Sequence, residues 1–169
     1  MYKIGENVVY GANGVMTVHD IREETIGDVS RSYYVLRPYG SRGASYTFVP
    51  TDSEQLTSQM LPLLSREEII GILHERNKPE IEWKKDNRAR AEYFKAIMES
   101  GDRRMIVAMI EAIYLSGRRR VEEGKKNFLS DENLMRKAEK IIHSEFSIVL
   151  GIPESEVPAF IENECGGEG

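Results

Sequence analysis

The sequence predicts an α+β fold: a small antiparallel β-barrel module at the N-terminus followed by a compact all-helical domain. Two observations predict it. Up to Pro50, short runs rich in Val, Ile, Tyr and Thr alternate with breaks rich in Gly, Asn, Asp and Pro, the pattern of a meandering antiparallel sheet. Beyond about residue 60, apolar residues recur at spacings of three and four, which is the period of an amphipathic helix. The change falls between Thr57 and Pro62. The chain therefore divides into a β domain at residues 1–58, a linker at 59–64, a helical domain at 65–162 and a flexible acidic tail at 163–169.

The strand-like runs are NVVY, VMTVHDI, SYYVL and SYTFVP, with GANG reading as a hairpin turn after the first. Val15, Thr17, His19 and Ile21 alternate along the second run and give it an inward and an outward face. Strands this short and closely spaced suggest a small barrel. Ser65 and Glu68 form a capping box at the start of a first helix through IIGIL, which Pro79 closes. A second helix is predicted from Trp83 to Ser100, with Gly101 suited to the left-handed position after its end. A third spans Arg103 to Ser116 before Gly117. Ser130 is placed to cap a fourth, in which Leu134, Ala138, Ile141, Ile142, Phe146 and Val149 share a face up to Gly151. A last turn or helix follows Pro153 through about Ile161.

With 169 residues, 40% hydrophobic and 30% charged, the chain has the composition of an ordinary globular protein. Its longest apolar runs fall far short of the roughly 18 to 20 residues that span a bilayer. No basic-then-apolar leader pattern opens the sequence, so the expected location is the cytoplasm, with no membrane partner. Cys165 is the sole cysteine and cannot form an intramolecular disulfide. Walker-type and dinucleotide-binding glycine motifs are absent, and His19, His74 and His143 are isolated from one another. No catalytic residue, metal ligand or cofactor is therefore assigned, and the chain is not expected to be an enzyme.

The formal net charge of -5 conceals a local reversal. Residues 84–126 carry twelve Lys or Arg against seven Asp or Glu, whereas residues 154–169 carry five Glu and no Lys or Arg. The only tryptophan, Trp83, directly precedes this basic segment, in IEWKKDNRARAEYF. A solvated helix face is the default meaning of such a segment, and a packed interhelical anchor is that of the tryptophan. A phosphate-binding surface is the functional alternative, because a local basic patch recruits nucleic acid whatever the whole-chain charge.

Several elements together resemble the CarD/CdnL family of bacterial transcription regulators. They are Gly5 with Val8-Val9-Tyr10, Gly14, Ile21, Tyr34-Val35-Leu36, Val49-Pro50, Trp83, Ser100-Gly101-Asp102 and the Ala138–Glu145 part of the long helix. The resemblance runs over about residues 2–150. It implies a Tudor-like, SH3-like N-terminal barrel that binds the β subunit of bacterial RNA polymerase and is shared with the transcription-repair coupling factor. It also implies a helical domain that contacts promoter DNA, largely independently of sequence, at the upstream edge of the bubble and stabilises the open complex. On this resemblance Trp83 acts as a wedge while Lys84, Lys85, Arg88, Arg90 and Arg119 meet DNA, and Ile26, Tyr46 and Phe48 lie near the polymerase-binding sheet edge. Better-known members carry arginines where this chain has Glu24 and Phe48, so those basic contacts do not carry over. A monomer is expected. The alternative is an adaptor that binds polymerase or another protein without touching DNA.

Overall fold

The computed structural model describes residues 1–43 and 45–166. The N-terminal unit consists of β1 (Asn7–Tyr10), a 3-10 turn (Gly11–Asn13), β2 (Val15–Ile26), β3 (Val29–Pro38), β4 (Thr47–Pro50), the single-turn helix α1 (Glu54–Thr57) and β5 (Met60–Pro62). All neighbouring strands are antiparallel, in the order β4-β3-β2-β1-β5. Alternation along the strands sends Val8, Tyr10, Met16, Val18, Tyr34, Leu36, Val49 and Met60 into one apolar cluster. Val49 of one edge strand and Met60 of the other belong to that same cluster, so the sheet wraps around it. The edges do not pair, and the expected barrel is thus an open one, spanned by α1 between β4 and β5.

The helical part contains α2 (Arg66–His74), α3 (Asn87–Ser100), α4 (Arg103–Glu122), α5 (Leu129–Leu150), a 3-10 turn (Glu154–Glu156) and α6 (Val157–Gly166). Ile69, Leu73, Phe94, Ile106, Met109, Ala138, Ile142, Phe146 and Val157 form its continuous core. The expected capping box is present: Glu68 N–H donates to Ser65 Oγ at 3.1 Å, and Ser65 N–H donates to the Glu68 carboxylate at 3.1 Å. No described helix is long and apolar enough to cross a membrane.

Several predicted boundaries change, each for a local reason. Residues 59–64 are not a free linker, since Met60–Pro62 pair with Val8–Tyr10 as β5. α3 begins at Asn87 and not Trp83, because the Asp86 side chain accepts the Ala89 N–H at 2.8 Å and caps it there. α4 runs past Gly117 to Glu122, where the Asn127 side chain lies close against Gly117, in space a Cβ would crowd at 3.1 Å. α5 starts at Leu129 with Phe128 in the cap position, so Ser130 lies inside the helix. Residues 163–166 of the expected flexible tail are helical, and residues 167–169 lie outside the described residues.

The two parts meet through a tight joint. Gly101 ends α3 with φ 68°, and a Cβ there would lie 2.6 Å from Leu61 Cδ1 of the β5 strand. Arg103 donates to the carbonyl oxygens of Gly101 and Pro62, both at 2.9 Å. Glu145 on α5 is fully buried and accepts the Leu64 N–H at 2.9 Å. Arg103 Nε faces Glu145 Oε1 at 3.4 Å without hydrogen-bond geometry, so this contact is electrostatic only. Burial pushes the Glu145 carboxyl above its usual range, against the opposing pull of Arg103 and the Leu64 N–H.

Two outcomes follow from the joint. Gly101→Ala combines a left-handed backbone with a steric collision and is expected to lower stability by about 1–3 kcal/mol or more in chemical denaturation. Because folding raises the Glu145 pKa, its contribution is fully present below the unfolded pKa and is lost as pH rises through the folded one. In Glu145→Gln this loss is absent, so its stability curve is flatter than the parent's just above the ordinary glutamate range, as read by denaturation at a series of pH values.

Candidate polymerase-binding edge and nucleic-acid interface

β4 pairs with β3 on one side only, through Tyr33↔Pro50, Tyr34↔Val49, Val35↔Phe48 and Leu36↔Thr47. Since Tyr34, Leu36 and Val49 point to the core, the other parity lies on the opposite face, where Val35 is buried, Tyr33 half-buried and Phe48 exposed. Phe48 is half-exposed and meets the Tyr33 ring edge-on, with centroids 6.1 Å apart. Tyr46, just before the strand, stacks on His19 at 5.1 Å. An open strand edge is thereby bordered by an exposed aromatic pair.

Ile26 lies elsewhere. Glycine at position 27, with φ 65°, turns β2 into β3 and leaves Ile26 opposite Val29 at the ribbon tip, 74% and 65% exposed respectively. The Phe48 row aligns with Asp20 on β2, six residues from Ile26, which is about 20 Å along the strand. Tyr46 and Phe48 therefore come together and Ile26 forms a second apolar point on the same sheet. Glu24 sits opposite Arg31, and its carboxylate lies 3.6 Å from Arg22. Arg31 in turn pairs with Asp52 at 2.8 Å, so Arg22 and Arg31 are both already partnered by carboxylates.

The basic segment folds differently from expectation. Arg90 is only 1% exposed and cannot reach a phosphate. Its guanidinium binds the Asp131 carboxylate through two hydrogen bonds of 3.0 Å each, and donates to the Lys84 carbonyl at 2.9 Å and to Asn87 Oδ1 at 2.7 Å. The same guanidinium lies 4.8 Å from the Trp83 ring centroid and 5.0 Å from that of Phe128. Arg120 stacks over Phe128 at 3.9 Å and donates to the Lys126 carbonyl. Trp83, Arg90, Phe128 and Arg120 are consecutive members of one chain of stacked groups, each cation–π contact contributing about 0.5–2 kcal/mol.

Trp83 is half-buried, and it also packs on Phe94 with centroids 5.8 Å apart. One part of the ring is thus packed against the core, as the anchor reading expects, and the rest is accessible to solvent. Lys84 lies 5.2 Å from the Tyr93 ring and 3.3 Å from the Glu82 carboxylate, while Lys85, Arg88 and Arg119 are exposed. Arg88 pairs with Glu92 at 3.6 Å. The stacked chain brings Trp83 and the Lys84-Lys85 segment together with the end of α4 that carries Arg119. Sequence reading missed Asp131 and Phe128, for the 41-residue separation of Arg90 and Asp131 leaves no periodic signal.

The geometry defines a class of protein: a small open sheet with an exposed edge, rigidly joined to a helical domain with one basic end. Residues 2–61 match the family model of the CarD-like/TRCF RID domain, a match that supports an interaction with RNA polymerase. The match ends inside β5, so it covers the sheet and none of the helices that follow. No curated protein matches the chain.

Replacing Arg90 with Ala leaves the buried Asp131 carboxylate unpaired and removes the stack on Trp83. The expected result is a loss of about 3–5 kcal/mol in stability. Fluorescence of the sole tryptophan, recorded under native conditions, is expected to shift to the red.

Proposed function

We propose that this protein is a non-enzymatic transcription regulator that binds the RNA polymerase β subunit through the sheet and contacts promoter DNA at the upstream edge of the bubble through the helical domain. The observation that carries this reading is the RID match over residues 2–61, coinciding with a sheet whose β4 edge is open and bordered by Tyr46 and Phe48. An extended segment of the β subunit adds to that edge through main-chain hydrogen bonds, and the aromatic side chains select it. Ile26 serves as a separate contact at the ribbon tip.

The DNA-facing surface in this proposal is Trp83 with Lys84, Lys85, Arg88 and Arg119. Arg90 moves from phosphate contact to support, since its hydrogen-bonding capacity is used inside the protein. The exposed part of the indole fills the space opened at a partly unstacked base step, while the surrounding cations meet the backbone without reading sequence. The effect on transcription is a change in open-complex lifetime. The protein acts as a monomer in the cytoplasm, without metal or cofactor.

Two variants test the two surfaces separately. Phe48→Ala is expected to weaken co-purification with polymerase at least tenfold, while Trp83→Ala retains polymerase binding and loses most of the effect on open-complex lifetime. Unchanged polymerase binding in the first variant removes the β4 edge from the interface. An unchanged lifetime in the second leaves an adaptor that does not use Trp83 on DNA.

A further inference from the structure

The 3-10 turn Gly11–Asn13 projects from the sheet between α3 and α5 and leaves a cleft on either side. The smaller, about 190 Å³, is lined by Lys95 of α3 and Lys137 of α5, with Ala12 of the turn between them. The larger, about 440 Å³, again has Ala12 and Lys137 in its wall and adds Arg136 and Lys140 from α5 and Tyr39 from the end of β3. Because Ala12 and Lys137 belong to both, the clefts adjoin. Four cations from two helices thus border one depression at the domain junction.

Their charge is only partly neutralised. Lys140 pairs with Glu154 at 2.8 Å, and Glu99 lines the smaller cleft. Lys95, Arg136 and Lys137 are exposed and have no carboxylate within ion-pair distance among the described residues. By contrast, the exposed cations Arg88 and Arg118 each make an ion pair with the glutamate four residues on, at 3.6 and 3.7 Å. Four cations against two carboxylates in a chain of net charge -5 is a local reversal of sign. Asn13 and the 52%-exposed Tyr39 bring an amide and a phenol to the same cleft, and both are donors to phosphate oxygens.

We propose that this junction is a second phosphate-binding site, taking the sugar–phosphate backbone of nucleic acid, with Lys95, Arg136 and Lys137 as its main cations. Lys95 lies seven residues beyond Arg88 on α3, about 10 Å along the helix, so the site extends the basic surface from the Trp83 end toward the sheet. The inference rests on the reading that the helical half meets DNA, and it adds a contact remote from the tryptophan. Phosphodiester and free polyphosphate share the chemistry these groups recognise, and competition separates the two.

The test uses the full chain and a short labelled DNA duplex, with anisotropy titrations across a salt series from low ionic strength. Each phosphate contact removed lowers the slope of log affinity against log salt by about 0.9, so Lys95→Gln with Lys137→Gln is expected to lower it by about 2 and weaken low-salt binding roughly tenfold or more. Both side chains are exposed, and circular dichroism checks that the fold is kept. A slope equal to the parent's overturns the proposal, as does a parent that does not bind the duplex at all. Tripolyphosphate that binds the parent and not the double variant, while the duplex slopes stay equal, reassigns the site to free polyphosphate and also overturns it. Trp83→Ala, assayed for open-complex lifetime on polymerase, reports separately on the function proposed above. If that variant loses its effect and the lysine pair keeps its slope, only the second site fails. A lowered slope with a normal lifetime in Trp83→Ala retains the site and removes the wedge.

Discussion

A carboxylate removed from water on α5, that of Glu145, sets how the sheet meets the helices. It accepts the Leu64 N–H directly after β5 and faces Arg103, whose guanidinium reaches the carbonyls of Gly101 and Pro62. One network therefore ties together the last strand, the α3–α4 corner and the C-terminal part of the longest helix. Burying such charges costs several kcal/mol per ion before pairing, so the arrangement is a poor source of net stability. What it supplies is geometry: an apolar replacement of the pair would leave the Leu64 N–H and the Pro62 carbonyl without these partners. The absence of a side chain at Gly101 lets Leu61 close the corner, and the two domains are held as one body through contacts that neither makes alone.

Arg90 applies the same principle inside the helical domain. Asp131 near the start of α5 takes both arms of its guanidinium, while the flat faces are used by Trp83 and Phe128. Arginine suits this position because its planar, weakly hydrated cation can hydrogen-bond in its plane and stack above it simultaneously, which a lysine ammonium cannot do. The carbonyl of Lys84 is also bound, so the backbone following the tryptophan is pinned as well as the ring. Trp83 precedes α3 and has no helical hydrogen bonds to fix it. Its position therefore depends on these side-chain contacts.

Local chemistry was readable from the sequence wherever a few neighbouring residues decide the outcome. The Ser65–Glu68 box, the glycines ending α3 and α5, the alternation around Tyr34 and Leu36, and the RID domain all belong to this class. Partnership across long separations was not readable. Arg90 looks like any other member of a basic run, because nothing within a helical turn of it announces Asp131. Gly117 looks like a terminator, and only the folded loop shows that Asn127 occupies the space beside it. Met60–Pro62 is too short to carry a strand period of its own, and its place in the sheet comes from pairing with β1. Composition located the basic surface, whereas burial decided which of its cations remain available.

On the proposed function, an acidic chain must approach a polyanion. At physiological ionic strength charges separated by more than about 8 Å are largely screened, so the net charge of -5 opposes contact only weakly once local basic groups are near the phosphates. Those groups are few, and Lys84 and Arg88 are shared with Glu82 and Glu92, which limits the affinity of the free protein for DNA. Attachment of the sheet to polymerase changes the problem from bimolecular capture to intramolecular contact, with an effective concentration set by the geometry of the complex. A rigid joint is more useful here than a flexible linker, for it presents the helical domain in one orientation and avoids the entropy of searching. Modest DNA affinity and a stiff domain junction are thus complementary: the first limits binding away from polymerase, and the second lets a small number of contacts suffice once polymerase is bound.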